Sequence, residues 1–116
     1  MSWIRYHVNY LKMWRKAAEV IAKAAEEAGL RAEVYVVGEA AEGRLTVLSD
    51  VDVVIAVHGE PSADEAKGIR RLVLRLTIDH YGLPWDYPVE VHVMGYEEFK
   101  KAFIDRGKKV VRVGPA

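Results

Sequence analysis

Residues 38–57 read GEAAEGRLTVLSDVDVVIAV, with Gly38 and Gly43 in a connection and Asp50 opening the run DVDVVIAV. Everything after Asp52 in that run is apolar, as expected of a central strand covered on both faces. Asp50 and Asp52 are two positions apart, so on a strand both side chains emerge on the same face. Carboxylates held side by side repel each other. They are comfortable only with water, a cationic partner or a hard divalent cation such as Mg²⁺, which takes oxygen ligands. The acidic pair therefore stands where buried sheet meets solvent. An isolated Asp-x-Asp is more often a turn and an incidental surface residue, so its meaning depends on what the rest of the chain brings to it.

Upstream, Leu11, Trp14, Ala18, Ile21, Ala25 and Ala28 recur at three- and four-residue steps, which predicts a helix over about 6–28. Gly29 suits a left-handed C-terminal cap. Residues 31–37 (RAEVYVV) alternate and are rich in β-branched side chains, the pattern of a strand. Downstream of the strand at 50–57, Ser62 and Glu65 form a capping-box signature. The helix they open runs to about Tyr81, with Ala66, Ile69, Leu72, Val73 and Leu76 inward, and stops at Gly82 and Pro84. A third strand is expected over 89–94 (VEVHVM), a short helix over 96–104 and a terminal strand over 110–113. The order helix-strand-loop-strand-helix-strand-helix predicts an α+β fold, a small mixed β-sheet with helices packed against it. The 116 residues fit one domain over 1–116.

In VEVHVM, Val89, Val91 and Val93 share one face, while Glu90, His92 and Met94 share the other. If this strand lies beside the second, Glu90 projects onto the face of Asp50 and Asp52. Three carboxylates so placed hold two Mg²⁺ ions about 4 Å apart, the arrangement that clamps both oxygens of an in-line phosphoryl or nucleotidyl displacement. The plainer reading is a half-exposed strand with a polar outer face.

Gly38-Glu39, then Ser49-Asp50-Val51-Asp52 leading into an apolar strand, resembles the Gly-Ser, spacer, Asp-x-Asp signature of the DNA polymerase β-like nucleotidyltransferases. The size resembles the minimal nucleotidyltransferases of that superfamily, and the likeness covers nearly the whole chain. The resemblance implies metal binding by Asp50, Asp52 and Glu90, with two Mg²⁺ ions when a nucleoside triphosphate is bound, and the same three residues as the catalytic set. It implies nucleotide contacts at Gly38, Glu39, Ser49 and Arg44. It further implies transfer of a nucleoside monophosphate, AMP from ATP, to a hydroxyl acceptor. Minimal nucleotidyltransferases are often encoded beside an all-helical HEPN protein. Some act as antitoxins by adding AMP to a tyrosine of that partner.

The chain departs from the signature after its first glycine. Where the family typically has Ser, and often an Arg next, this chain has Glu39, Ala40, Ala41 and Glu42. A helix N-terminus attracts anions through its free N–H groups and positive dipole end. Glu39 is expected to occupy those groups as an acidic cap, and Glu42 to repel phosphate. Repulsion at close range is worth on the order of 1–4 kcal/mol, about ten- to several-hundred-fold in affinity. Arg44 is the candidate replacement cation. The departure keeps open a second reading, a weak or inactive module of the same fold that neutralises a HEPN-type partner by contact.

Other features set bounds. Lys plus Arg number 17 and Asp plus Glu 17, so the formal net charge of zero argues against a protein whose main task is non-specific nucleic-acid binding. The absence of Cys excludes disulfides, thiol nucleophiles and Cys-ligated zinc. No apolar run approaches the roughly 20 residues that span a bilayer and no secretory h-region opens the chain, so a cytoplasmic protein without membrane contact is expected. The lack of Gln and the single Asn9 point to a thermophilic source. Trp3, Tyr6, Tyr10 and Trp14 lie at helical steps among Arg5, Lys12, Arg15 and Lys16, a stripe read first as an oligomer or partner surface and last as a nucleic-acid platform. His7, His58, His80 and His92 form no zinc motif. His92 reads as a solvated strand residue or a substrate-orienting group. Trp85 or Tyr87 could rim a nucleotide pocket, although turn chemistry accounts for them equally well.

Overall fold

The structure is a computed structural model that describes residues 12–46 and 48–114. Its elements, in chain order, are helix α1 (Trp14–Glu27), strand β1 (Ala32–Val37), the one-turn helix α2 (Gly38–Ala41) and strand β2 (Val51–Val57). Helix α3 (Ala63–Asp79), strand β3 (Val89–Gly95), helix α4 (Tyr96–Phe99, continuing as a π-helical stretch over Lys100–Ile104) and strand β4 (Val111–Gly114) follow. The four strands form one mixed sheet in the order β3-β2-β1-β4. β1 is antiparallel to both β2 and β4, whereas β2 and β3 are parallel. The α+β expectation is met, and α2 adds a turn of helix inside the stretch read as a connection.

Strand pleating separates two cores. On one face Val34 and Val36 of β1, Val51, Val53, Ile55 and Val57 of β2, and Val91 of β3 pack with Ala17, Ala18, Ile21, Ala24 and Ala25 of α1 and Val73 of α3. Alanines at the contact let α1 sit close to the sheet, and a Cβ on Gly114 would come within 2.7 Å of the Ala22 Cβ. On the other face Tyr35, Val37, Val54 and Ala56 surround Phe99 of α4. Phe99 stacks on Tyr35 with ring centroids 4.4 Å apart and on Phe103 at 5.4 Å. Since β2 is sandwiched, six of its seven residues, Asp52 excepted, are buried.

Helix ends follow the sequence signals. Gly29 has φ +79°; its N–H reaches the Glu26 carbonyl and the Leu30 N–H reaches the Ala25 carbonyl, the paired bonds of a Schellman cap. Ser62 and Glu65 make the reciprocal capping box, both bonds 3.1 Å. The expected inward row of α3 needs correction. Leu72 is 44% exposed, and Thr77 is fully buried instead, donating its hydroxyl to the Val73 carbonyl at 2.7 Å. At about 100° per residue Leu72 sits far round the helix from Val73, whereas Thr77 is one turn above it. The final helix is not plainly α: the Asp105 N–H bonds to the Lys100 carbonyl and the Lys108 N–H to the Phe103 carbonyl, five residues back. Of the N-terminal aromatic stripe, Trp3, Tyr6 and Tyr10 lie outside the described residues. Trp14 packs half-buried against the core, with the Arg15 guanidinium 4.9 Å from its ring centroid. No helix among the described residues is long and apolar enough to cross a membrane.

Candidate active site

Asp52 is the second residue of β2 and lies opposite Val37 of β1 and Glu90 of β3. Its side chain is on the face that α4 covers, but at the end of the sheet beyond Phe99, where that face opens to solvent. Strand alternation puts Glu90 and His92 on the same face, and the parallel register sets His92 beside Val54, one step along from Asp52. One ligand atom from each of Asp52, Glu90 and His92 lies within 4.8 Å of the others. The sequence expectation that Glu90 meets the aspartate strand on a shared face therefore agrees with the register. Asp50 precedes β2, is exposed, and stands outside this group of three.

His92 Nε2 lies 3.2 Å from Asp52 Oδ1, with 37% and 33% of the two side chains exposed. In this contact the imidazole N–H donates and the carboxylate oxygen accepts. Among the described residues no Lys or Arg is ion-paired with Asp50, Asp52 or Glu90, so the group is acidic, with the His92 imidazole beside Asp52. Two carboxylates and an imidazole within reach of one another form a donor set that fits a divalent cation.

Gly38 ends the turn from β1 into α2 at φ +69°, and a Cβ there would lie 2.9 Å from Asp52 Oδ2. The glycine thus serves both the left-handed backbone and the space Asp52 needs. α2 has Val37 at its N-cap and no side-chain cap. The self-capping expectation for Glu39 is corrected accordingly. Its carboxylate accepts a 2.5 Å hydrogen bond from Ser49, ten residues on, rather than closing the helix end. Ser49 is buried and also accepts from the Thr46 N–H at 2.9 Å, so the hairpin loop is tied to α2 through one hydroxyl. Arg44, the expected replacement cation, is exposed and pairs with Glu42 at 3.1 Å. Tyr87 is buried, whereas Trp85, 83% exposed, stands on the surface before β3.

The sheet, the Asp-x-Asp strand and the facing acid from a parallel neighbour define the class: a nucleotidyltransferase fold. The family model described as a nucleotidyltransferase domain matches residues 18–113, and the chain belongs to that family. Among solved structures it is similar to a provisionally assigned nucleotidyltransferase from Sulfolobus solfataricus, determined at 1.40 Å, with a TM-score of 0.59 and 20% identity. The match covers 91% of this chain and 84% of that one. Comparison with curated proteins gives no match.

Sequence reasoning missed His92 as the partner of Asp52. The signal was present, because His92 follows Glu90 by two on the same strand face. What it lacked was the β2–β3 register.

Proposed function

We propose that this protein is a Mg²⁺-dependent nucleotidyltransferase that moves AMP from ATP to a hydroxyl acceptor, a tyrosine of an all-helical HEPN-type partner, and so acts as an antitoxin. One observation carries the reading of the site: Glu90 of β3 meets Asp52 of β2 on the open face of a nucleotidyltransferase fold. The partner and acceptor rest on the likeness to minimal nucleotidyltransferases.

In this reading Asp50, Asp52 and Glu90 are the metal ligands, and Glu90 also takes the acceptor proton. Divalent ions, when bound, sharpen the attacking hydroxyl and neutralise charge on the departing pyrophosphate. The acceptor oxygen bonds to the α-phosphorus, the bond from that phosphorus to the bridging oxygen breaks, and pyrophosphate leaves with the electron pair. Gly38 lets the backbone approach phosphate closely, and Ser49 fixes the loop that delivers Asp50. Catalysis is then positioning and charge stabilisation.

A second reading has its own observation. Glu39, held by Ser49, keeps a carboxylate where the family uses a hydroxyl near phosphate, which favours a contact-only neutraliser of the same partner. Incubation with α-labelled ATP, Mg²⁺ and the product of the adjacent open reading frame separates the two. Label on the partner, lost in Asp52→Asn, is the expected result; a tight complex without label establishes the contact-only module.

A further inference from the structure

The nitrogen in this pocket has no place in an all-carboxylate magnesium site, and its geometry gives it one. We propose that His92 is a direct ligand of the divalent ion held by Asp52 and Glu90, and that the centre therefore prefers a first-row transition ion such as Mn²⁺ to Mg²⁺. This rests on the reading of the site as a metal-dependent transferase and specifies which ion that site selects.

Neighbouring ligands of one octahedral ion at about 2.1 Å lie about 3.0 Å apart, from the metal–oxygen distances of small hard cations. His92 Nε2 and Asp52 Oδ1 are already 3.2 Å apart, and Glu90 is within 4.8 Å of both. Glu90 can stand opposite only one of the two and must lie about 3.0 Å from the other, so its exposed side chain closes by up to about 1.8 Å while β2 and β3 stay in register. Binding exchanges one arrangement of His92 for another. Without the ion its Nε2–H donates to Asp52; with it the proton resides on Nδ1 and the Nε2 lone pair faces the cation. About a third of each of the two side chains is open, so an ion enters from solvent without unfolding the sheet. Imidazole is a poor ligand for Mg²⁺, which holds to oxygen and sheds water reluctantly, but suits first-row transition ions.

The experiment titrates the full chain with Mn²⁺ and with Mg²⁺, alone and with the non-transferable analogue α,β-methylene-ATP. Calorimetry reads affinity, and pulsed electron paramagnetic resonance of bound Mn²⁺ reads coupling to a ¹⁴N nucleus. Expected are at least about tenfold tighter binding of Mn²⁺ than Mg²⁺ and an imidazole ¹⁴N coupling that disappears in both His92→Gln and His92→Asn, each weakening Mn²⁺ about tenfold or more. Mn²⁺ bound through Asp52 and Glu90 with no nitrogen coupling, or with coupling that survives both substitutions, overturns the role of His92 and leaves the transferase reading intact. Failure of both ions to bind, with Asp52→Asn and Glu90→Gln indistinguishable from the parent, removes both readings. The coupling is read on the unaltered protein, so a variant that folds poorly does not decide the result.

Discussion

Replacing Gly38 by alanine acts twice, and a second glycine separates the two effects. Gly38 and Gly43 have nearly equal backbone angles, φ +69° and +72°. Alanine in that region costs about 1–2 kcal/mol at either position. For a chain of this length that is a fall in Tm of about 4–8 °C, at roughly 4 °C per kcal/mol. Their surroundings differ. The new Cβ at Gly43 meets nothing within 4 Å, whereas at Gly38 it lies 2.9 Å from Asp52 Oδ2. Asp52 must then swing aside, and with it the atom that faces Glu90 and His92. Gly43→Ala should lose stability alone. Gly38→Ala should lose similar stability and, in addition, about ten- to a hundredfold in divalent-ion affinity, the scale at which disturbing a ligand's support costs metal binding. Thermal denaturation and calorimetry with Mn²⁺ on both variants measure this. Equal ion affinity in the two would refute the contact argument, and an unchanged Tm in both would refute the backbone argument.

Glu39→Ser removes the carboxylate from α2 and should tighten Mg-ATP binding by about ten- to several-hundred-fold, as measured by calorimetry; equal affinities would take Glu39 out of the account. Alkaline unfolding should be governed by two tyrosines. Burial, with a 2.8 Å hydrogen bond to Glu33, pushes Tyr35 up from 10.0 to about 12, and burial pushes Tyr87 up to about 12. The unfolded chain gives up these protons first, so their stabilising contribution is whole below pH 10 and disappears as pH rises through about 12. Urea midpoints between pH 9 and 12 should fall more steeply in the parent than in Tyr35→Phe or Tyr87→Phe, and identical slopes would show the assignment to be mistaken.

The elements were legible where one physical rule governs them. Val34, Val36, Val53 and Ile55 have no alternative to a sheet interior, and Ser62 with Glu65 announces a helix start by chemistry. Leu72 and Thr77 show where periodicity stops: apolarity picked Leu72, but the angular position set by Val73 gave the buried place to Thr77, whose hydroxyl a backbone carbonyl satisfies. The π-helical widening over Lys100–Ile104 was not marked by any pattern read in the sequence. In the site, period-two alternation placed Glu90 and His92 on one face, but only the parallel register of β2 and β3 made them neighbours of Asp52. The Ser49–Glu39 bond spans ten residues of hairpin and is invisible before folding.

The sheet is sealed on one side by α1 and α3 and left half uncovered on the other. Asp50, Glu90 and Glu39 are exposed, and Asp52 and His92 partly so; none of them fills a cavity that the interior needs. The acidic and imidazole side chains of the candidate site and the apolar core are thereby different residues. Those exposed positions can therefore be rewritten while the scaffold stays sound.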